Sequence, residues 1–233
     1  MNNYYKIATQ LQKTLSKIIK TIFKYKNNEL EIKVEELNVL QRENNSISSS
    51  SAIGFLVEEY LIINLLNYFN SNKNKKQIVM NINRVTNNNS YDFSIKYKDH
   101  LFYINLKSNR TNNKTIAAIQ KLYDDYVNYK EINPLHFLVF KINYHIGLSS
   151  DNKNIKIIIN NTESYFLEQI NFDKWHQDKR SWSEIPNLNS GRLIISNKFL
   201  NENLLEIDEI SYEKTKDQLA EIYKLNKELK NKK

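Results

Sequence analysis

The stretch Ala52–Leu66 constrains this chain more than any other. Around a helical wheel, Ile53, Phe55, Leu56, Val57, Tyr60, Leu61, Ile62, Ile63, Leu65 and Leu66 leave almost no polar side. A helix apolar all round must be covered, so the expected fold is layered and this helix is buried within it. Two adjacent carboxylates, Glu58 and Glu59, interrupt it. Burying an ionised carboxylate is costly unless it is paired or held by a cation, so either one of them has a partner inside or the pair lies on a narrow solvent stripe. Gly54, one turn before Glu58, leaves room for backbone or substrate and favours Glu58.

The rest of the chain supplies the layers. Ile7, Leu11, Leu15, Ile18, Ile19, Ile22 and Phe23 recur at three- and four-residue steps with Lys between them, an amphipathic helix whose basic side suits either solvent or a DNA or protein partner. A second helical segment is expected from Leu30 to about Leu40, and the Ser46–Ser51 cluster offers N-caps for the helix that follows. After a polar linker and the short apolar piece Ile78–Met80, the runs Tyr91–Tyr97 and Leu101–Lys107 alternate across a short connection and predict a β-hairpin. Helical periodicity is expected over Lys114–Lys130, then a buried strand at His136–Ile142, strands at Ile155–Ile159 and Arg192–Ser196, and a terminal amphipathic helix through Leu219, Ile222, Leu225 and Leu229. This order implies an α/β fold, a mixed sheet with helices on its faces. The 233 residues form one domain, with a core at about 50–142 and a further C-terminal region at about 143–233.

Composition narrows the chemistry. The chain has no Cys, and its four His stand at no ligand-like spacing, so any metal must be held mainly by oxygen. With three Gly and two Pro there is no Gly-rich nucleotide loop. The net charge of +8 suits a polyanionic partner, and no apolar run is long enough to span a bilayer, so a cytoplasmic protein is expected. Asn, Lys and Ile dominate as in AT-rich coding sequence, which makes the five Arg the more informative cations.

On the second hairpin strand Asn105 and Lys107 share a face, and Asp92 opens the partner strand near the same end. A carboxylate, an amide and an ammonium thus converge beside the helix that carries Glu58. This arrangement resembles the PD-(D/E)xK nuclease superfamily, most closely its type II restriction endonucleases. There an acid begins one hairpin strand, an acid-x-Lys tripeptide lies on the next, and an upstream helix contributes a Glu. Asp92, Lys107 and Glu58 or Glu59 match these positions, whereas Asn105 stands where Asp or Glu is usual and Tyr91 where Pro is usual.

The resemblance implies a restriction-endonuclease-like fold and Mg2+-dependent hydrolysis of phosphodiesters in double-stranded DNA at a specific, palindromic site. Asp92, Asn105, Glu58 and the Leu106 carbonyl would hold the metal, and Lys107 would orient the attacking water. It also implies a homodimer and a cognate DNA methyltransferase that need not touch this chain. The loop Ser108, Asn109, Arg110 to Lys114 suits a phosphate backbone, though coding bias explains it equally. The segment from Trp175 through Arg180 to Arg192 is the candidate for reading bases, with core or dimer packing of the two Trp as the alternative. Asn105 and the high pI also suit a non-catalytic nucleic-acid-binding protein of the same fold. A third reading is a nuclease that cuts by DNA structure.

Overall fold

A computed structural model describes residues 3–33, 50–71, 78–82, 89–109, 115–149, 154–173, 175–177, 187–189, 191–208 and 210–231. Helix α1 (Asn3–Lys24) leads through a tight turn, with Asn27 and Asn28 at positive φ, into strand β1 (Glu29–Lys33). Then come helix α2 (Ser50–Ser71), β2 (Ile78–Asn81), β3 (Phe93–Tyr97) and β4 (His100–Asn109). Strand β5 (Thr115–Ala118) precedes the short helix α3 (Ile119–Leu122), which passes into a π-helical turn, Tyr123–Val127. Two long strands follow, β6 (Leu135–Leu148) and β7 (Asn154–Phe166). The chain ends with β8 (His176–Gln177), β9 (Asn187–Asn189), β10 (Arg192–Ile194), α4 (Asn197–Asn203) and α5 (Ser211–Asn231).

The main sheet has six strands in the order β1-β7-β6-β4-β3-β2, and a smaller sheet has four in the order β5-β10-β9-β8. In the main sheet β4 and β6 run parallel and every other neighbouring pair is antiparallel. The expected hairpin is present, with Lys98 and Asp99 as a two-residue turn and Lys98 at φ 53°. One face carries Phe93, Phe102, Ile104, Leu106 and Phe140 under Leu11 and Leu15 of α1 and Val57 and Leu61 of α2. The other carries Leu101, Phe137, Val139 and Tyr165 under α3, α5 and the small sheet. The fold is therefore a mixed α/β structure with a six-stranded mixed sheet flanked by helices.

Two elements differ from the sequence expectation. The start of the segment expected to be helical from Leu30 to about Leu40 is strand β1, because Leu30 and Ile32 pair with Ile157 and Ile155 of β7 and pack on the core, while residues 34–40 lie outside the described residues. Its intrinsic preference is overridden by a free sheet edge more than a hundred residues away. The helix expected over 114–130 begins as β5, paired to β10, and turns helical only at Ile119. Strand β6 runs past 142, and β7 returns it to the same sheet. The Ser46–Ser49 caps lie outside the described residues.

Helix α2 is not covered all round: Val57, Leu61 and Leu65 are buried, while Phe55 is 61% and Ile63 46% exposed. Among the described residues no helix is long and apolar enough to cross a membrane.

Candidate active site

Strand β3 begins at Phe93, opposite Ile104, whereas β4 continues to Asn109. The backbone groups of Leu106 and Ser108 therefore face a place in the sheet that β3 has vacated. Two carboxylates fill it. The Asp92 N–H donates to the Ile104 carbonyl at 2.9 Å, closing the ladder, and Asp92 Oδ2 accepts the Leu106 N–H at 2.6 Å. Two residues on, Glu58 Oε1 reaches down from α2 to accept the Ser108 N–H at 2.8 Å. The Leu106 carbonyl, pointing to the same edge, accepts from Lys107 Nζ at 2.8 Å. Two carboxylates, a peptide carbonyl and an ammonium thus gather along one i, i+2 step of β4, about 7 Å of strand.

The helix acid is held by close contact between α2 and β4. Ser108 Oγ lies 2.8 Å from both the Gly54 carbonyl and Glu58 Oε1. Its single proton serves one of them at a time, and the pair is fully bonded when Glu58 carries a proton of its own. A Cβ on Gly54 would stand 2.8 Å from that hydroxyl, which explains a glycine inside an otherwise apolar helix. Gly54→Ala is expected to cost about 1–3 kcal/mol in urea unfolding, since Ser108 yields only by giving up its bonds. Gly147→Ala, which meets nothing within 4 Å, provides a control expected to be near neutral.

Asp92 is positioned by a strap through Ser90. Asn105 is 4% exposed and donates from Nδ2 to the Ser90 carbonyl at 2.5 Å. The Ser90 N–H donates to Asp125 in the π-helical turn, and Tyr91 stacks on Tyr103 with ring centroids 3.9 Å apart. Asn105 Oδ1 is buried with no hydrogen-bond partner among the described residues.

Burial pushes the Asp92 carboxyl above the usual range, against the pull of the Lys107 charge and the Leu106 N–H. Glu58 is also raised, chiefly by burial, with Lys107 and the two Ser108 bonds opposing and the Asp92 charge adding. A carboxyl raised in the fold favours folding below the ordinary carboxylate range, and that contribution is lost as pH rises through the raised value. Glu58→Gln, whose amide oxygen still accepts from Ser108, is therefore expected to match the native chain near pH 4. At pH 8, where the native carboxyl must ionise against its burial, the variant should melt higher than the native chain. Thermal melts at the two pH values check this.

Asp92, Leu106, Lys107 and Glu58 are brought together, and Glu58 makes a contact to β4. Ser108, expected in a DNA-contacting loop, lies in β4 with its hydroxyl committed to α2, because the strand runs two residues further than its alternation indicated. Asn109 ends that strand, and Arg192 is exposed on β10 in the smaller sheet. Arg110, Lys114 and Arg180 lie outside the described residues.

Sequence reasoning missed Lys141. It is 3% exposed, stands beside Lys107 in the parallel register, and meets Glu163 Oε2 at 3.4 Å. Burial lowers its pKa against the attraction of Glu163. The signal was available, since a lysine inside the apolar run 136–142 needs a partner.

The donor set at this edge is oxygen-rich and suits a hard divalent ion: the Asp92 and Glu58 carboxylates and the Leu106 carbonyl. Among the described residues no three of His, Asp and Glu gather as a metal cluster. No family model matches this chain, and no curated protein matches it.

Proposed function

We propose that the chain is a Mg2+-dependent endonuclease acting on double-stranded DNA, with a restriction-endonuclease-like fold and the specificity of a type II enzyme. The observation that carries the reading is the meeting of Asp92, the Leu106 carbonyl, Glu58 and Lys107 on one edge of β4. Asp92, Glu58, Leu106 and Asn105 would hold the ion, which supplies polarisation of a phosphate oxygen and acidification of a water.

The protein's own groups then divide the remaining tasks. Asp92 and Glu58, whose pKa values are raised chiefly by burial, would hold the ion, whose charge would offset that desolvation. Lys107 exchanges its bond to the Leu106 carbonyl for one to the phosphate, steadies the attacking water, and offsets the negative charge that builds on the oxygens at phosphorus. The Ser90 strap and the Gly54–Ser108 contact keep the two carboxylates in place without motion of the core. A homodimer would present two such sites to the strands of a palindrome.

The test is incubation of the protein with Mg2+ and long duplex DNA of varied sequence, followed by mapping of fragment ends. Discrete bands sharing one short end sequence are expected, and omission of Mg2+ should abolish them. Cutting confined to branched DNA would replace sequence specificity with recognition of structure. The amide at Asn105 also favours a second reading, a non-catalytic DNA-binding protein, for which no cutting would occur in Mg2+ or Mn2+.

A further inference from the structure

Helix α1 carries Lys6, Lys13, Lys17, Lys20 and Lys24 and no acidic residue. Its apolar side is spent on the core, with Leu11, Leu15, Ile18, Ile19, Ile22 and Phe23 all buried, so no apolar face remains for a membrane. Lys13, Lys17, Lys20 and Lys24 stand on one exposed face at steps of four, three and four. Like charges at these spacings repel and weaken a helix. Among the described residues none of the four is in an ion pair.

Coding bias does not account for this pattern, because α5 draws on the same codons and mixes its signs. There Glu213, Asp217, Glu221 and Glu228 are interspersed with five lysines, and Lys214 and Lys216 meet Asp173 and Glu213 at 3.0 and 3.9 Å. A solvated helix ordinarily looks like α5. The single-sign helix accepts repulsion that no ion pair among the described residues relieves.

The lysines also border a built groove. A cavity of about 420 Å3 runs between them and β7, floored by Gln12, Ser16 and Ser164. Gln12 Nε2 donates to the Ser164 carbonyl and hydroxyl at 3.2 Å, and the Ser16 and Ser164 hydroxyls are 3.4 Å apart. Ser164 pairs with Phe140, which pairs with Leu106. The groove floor is thus two strand spacings, about 10 Å, across the sheet from the Leu106 carbonyl.

We propose that this face of α1 is a binding surface for the phosphate backbone of duplex nucleic acid, separate from the cutting centre. Four ammonium groups span about 16 Å of helix axis, close to the rise of five phosphates on one strand of a duplex. Hydroxyls at the groove floor are of the kind that donates to phosphate oxygens. The surface carries no sequence information, and its contribution is affinity and register on the duplex. It deepens the nuclease reading by supplying a substrate contact, yet it is read on binding alone.

The experiment measures the dissociation constant of the full chain for a 30-base-pair duplex between 0.05 and 0.3 M salt, without divalent ions. The native chain is compared with a variant carrying Lys13→Gln, Lys17→Gln, Lys20→Gln and Lys24→Gln, and with one carrying Arg at the same positions. The Gln variant should show a log–log salt slope smaller by about 3–4 and binding at 0.15 M salt weaker by about 100-fold or more, with its melting temperature unchanged or higher. The Arg variant should retain the native slope.

An unchanged slope in the Gln variant overturns the proposal, as does competition by polyglutamate that equals competition by DNA charge for charge. Absence of duplex binding by the native chain at low salt overturns it too. An α1-dependent slope in a chain that never cuts DNA would sink the nuclease reading and leave this one standing. Cutting with an unchanged slope would do the reverse.

Discussion

Lys107→Met is expected to lower Mg2+-dependent cleavage by about 1,000-fold or more while leaving duplex affinity within about threefold. Met keeps the length and the apolar stem, so β4 need not move. What is lost is the cation at the Leu106 carbonyl, which the proposed mechanism sets against charge developing on the phosphate. Both carboxylates also lose an attraction that holds them down, since Lys107 lowers Asp92 and Glu58 alike. Their protons should therefore leave at higher pH in the variant, and the acid limb of residual cleavage should move upward. A lost rate with no movement of that limb would show that the Lys107 charge does not act on the two carboxyls. Single-turnover cleavage across pH 5.5–9 with saturating enzyme separates the two outcomes, and Lys107→Arg should recover part of the rate by restoring the charge.

The second large effect concerns Asn105, where the acid usual in the resembled family is replaced by an amide. Asn105→Asp restores that pattern in sequence, but the fold opposes it. The Nδ2 that donates to the Ser90 carbonyl becomes an oxygen facing an oxygen, at a position 4% exposed. The expected cost is about 3 kcal/mol in urea unfolding with chelator present, because a buried charge is left without a partner. If Oδ1 contributes to the ion, Mg2+ should return more stability to the variant than it adds to the native chain, by linkage of binding to folding. Equal Mg2+ effects in the two chains would remove Asn105 from the ligand set and leave it as the anchor of the Ser90 strap.

Much of the architecture could be read from periodicity. The α1 stripe, the β3–β4 hairpin and the α5 stripe follow from spacings of 3.6 and 2 over long enough windows to be decisive. Strands β1 and β5 could not, because four or five residues show no period, and their state is set by partners at Ile155–Ile158 and Arg192–Ile194. For the candidate site, the two-residue step from Asn105 to Lys107 and the acids in α2 were visible, since each is a polar group where burial is expected. The parts supplied by backbone were not. That the Leu106 and Ser108 N–H groups face a vacated edge depends on where β3 stops, and the Ser90 strap depends on a π-helical turn 35 residues away in sequence.

The place where β3 gives out has one more consequence. A strand with free N–H groups along its flank is a template on which a foreign strand can zip up, and proteins ordinarily guard such flanks. Here Asp92 and Glu58 occupy those donors, so the residues assigned to hold a cation also act as a stopper against self-association. Stripping both to alanine would remove the proposed metal ligands and the stopper together, and an inactive but aggregated double variant would say little about chemistry.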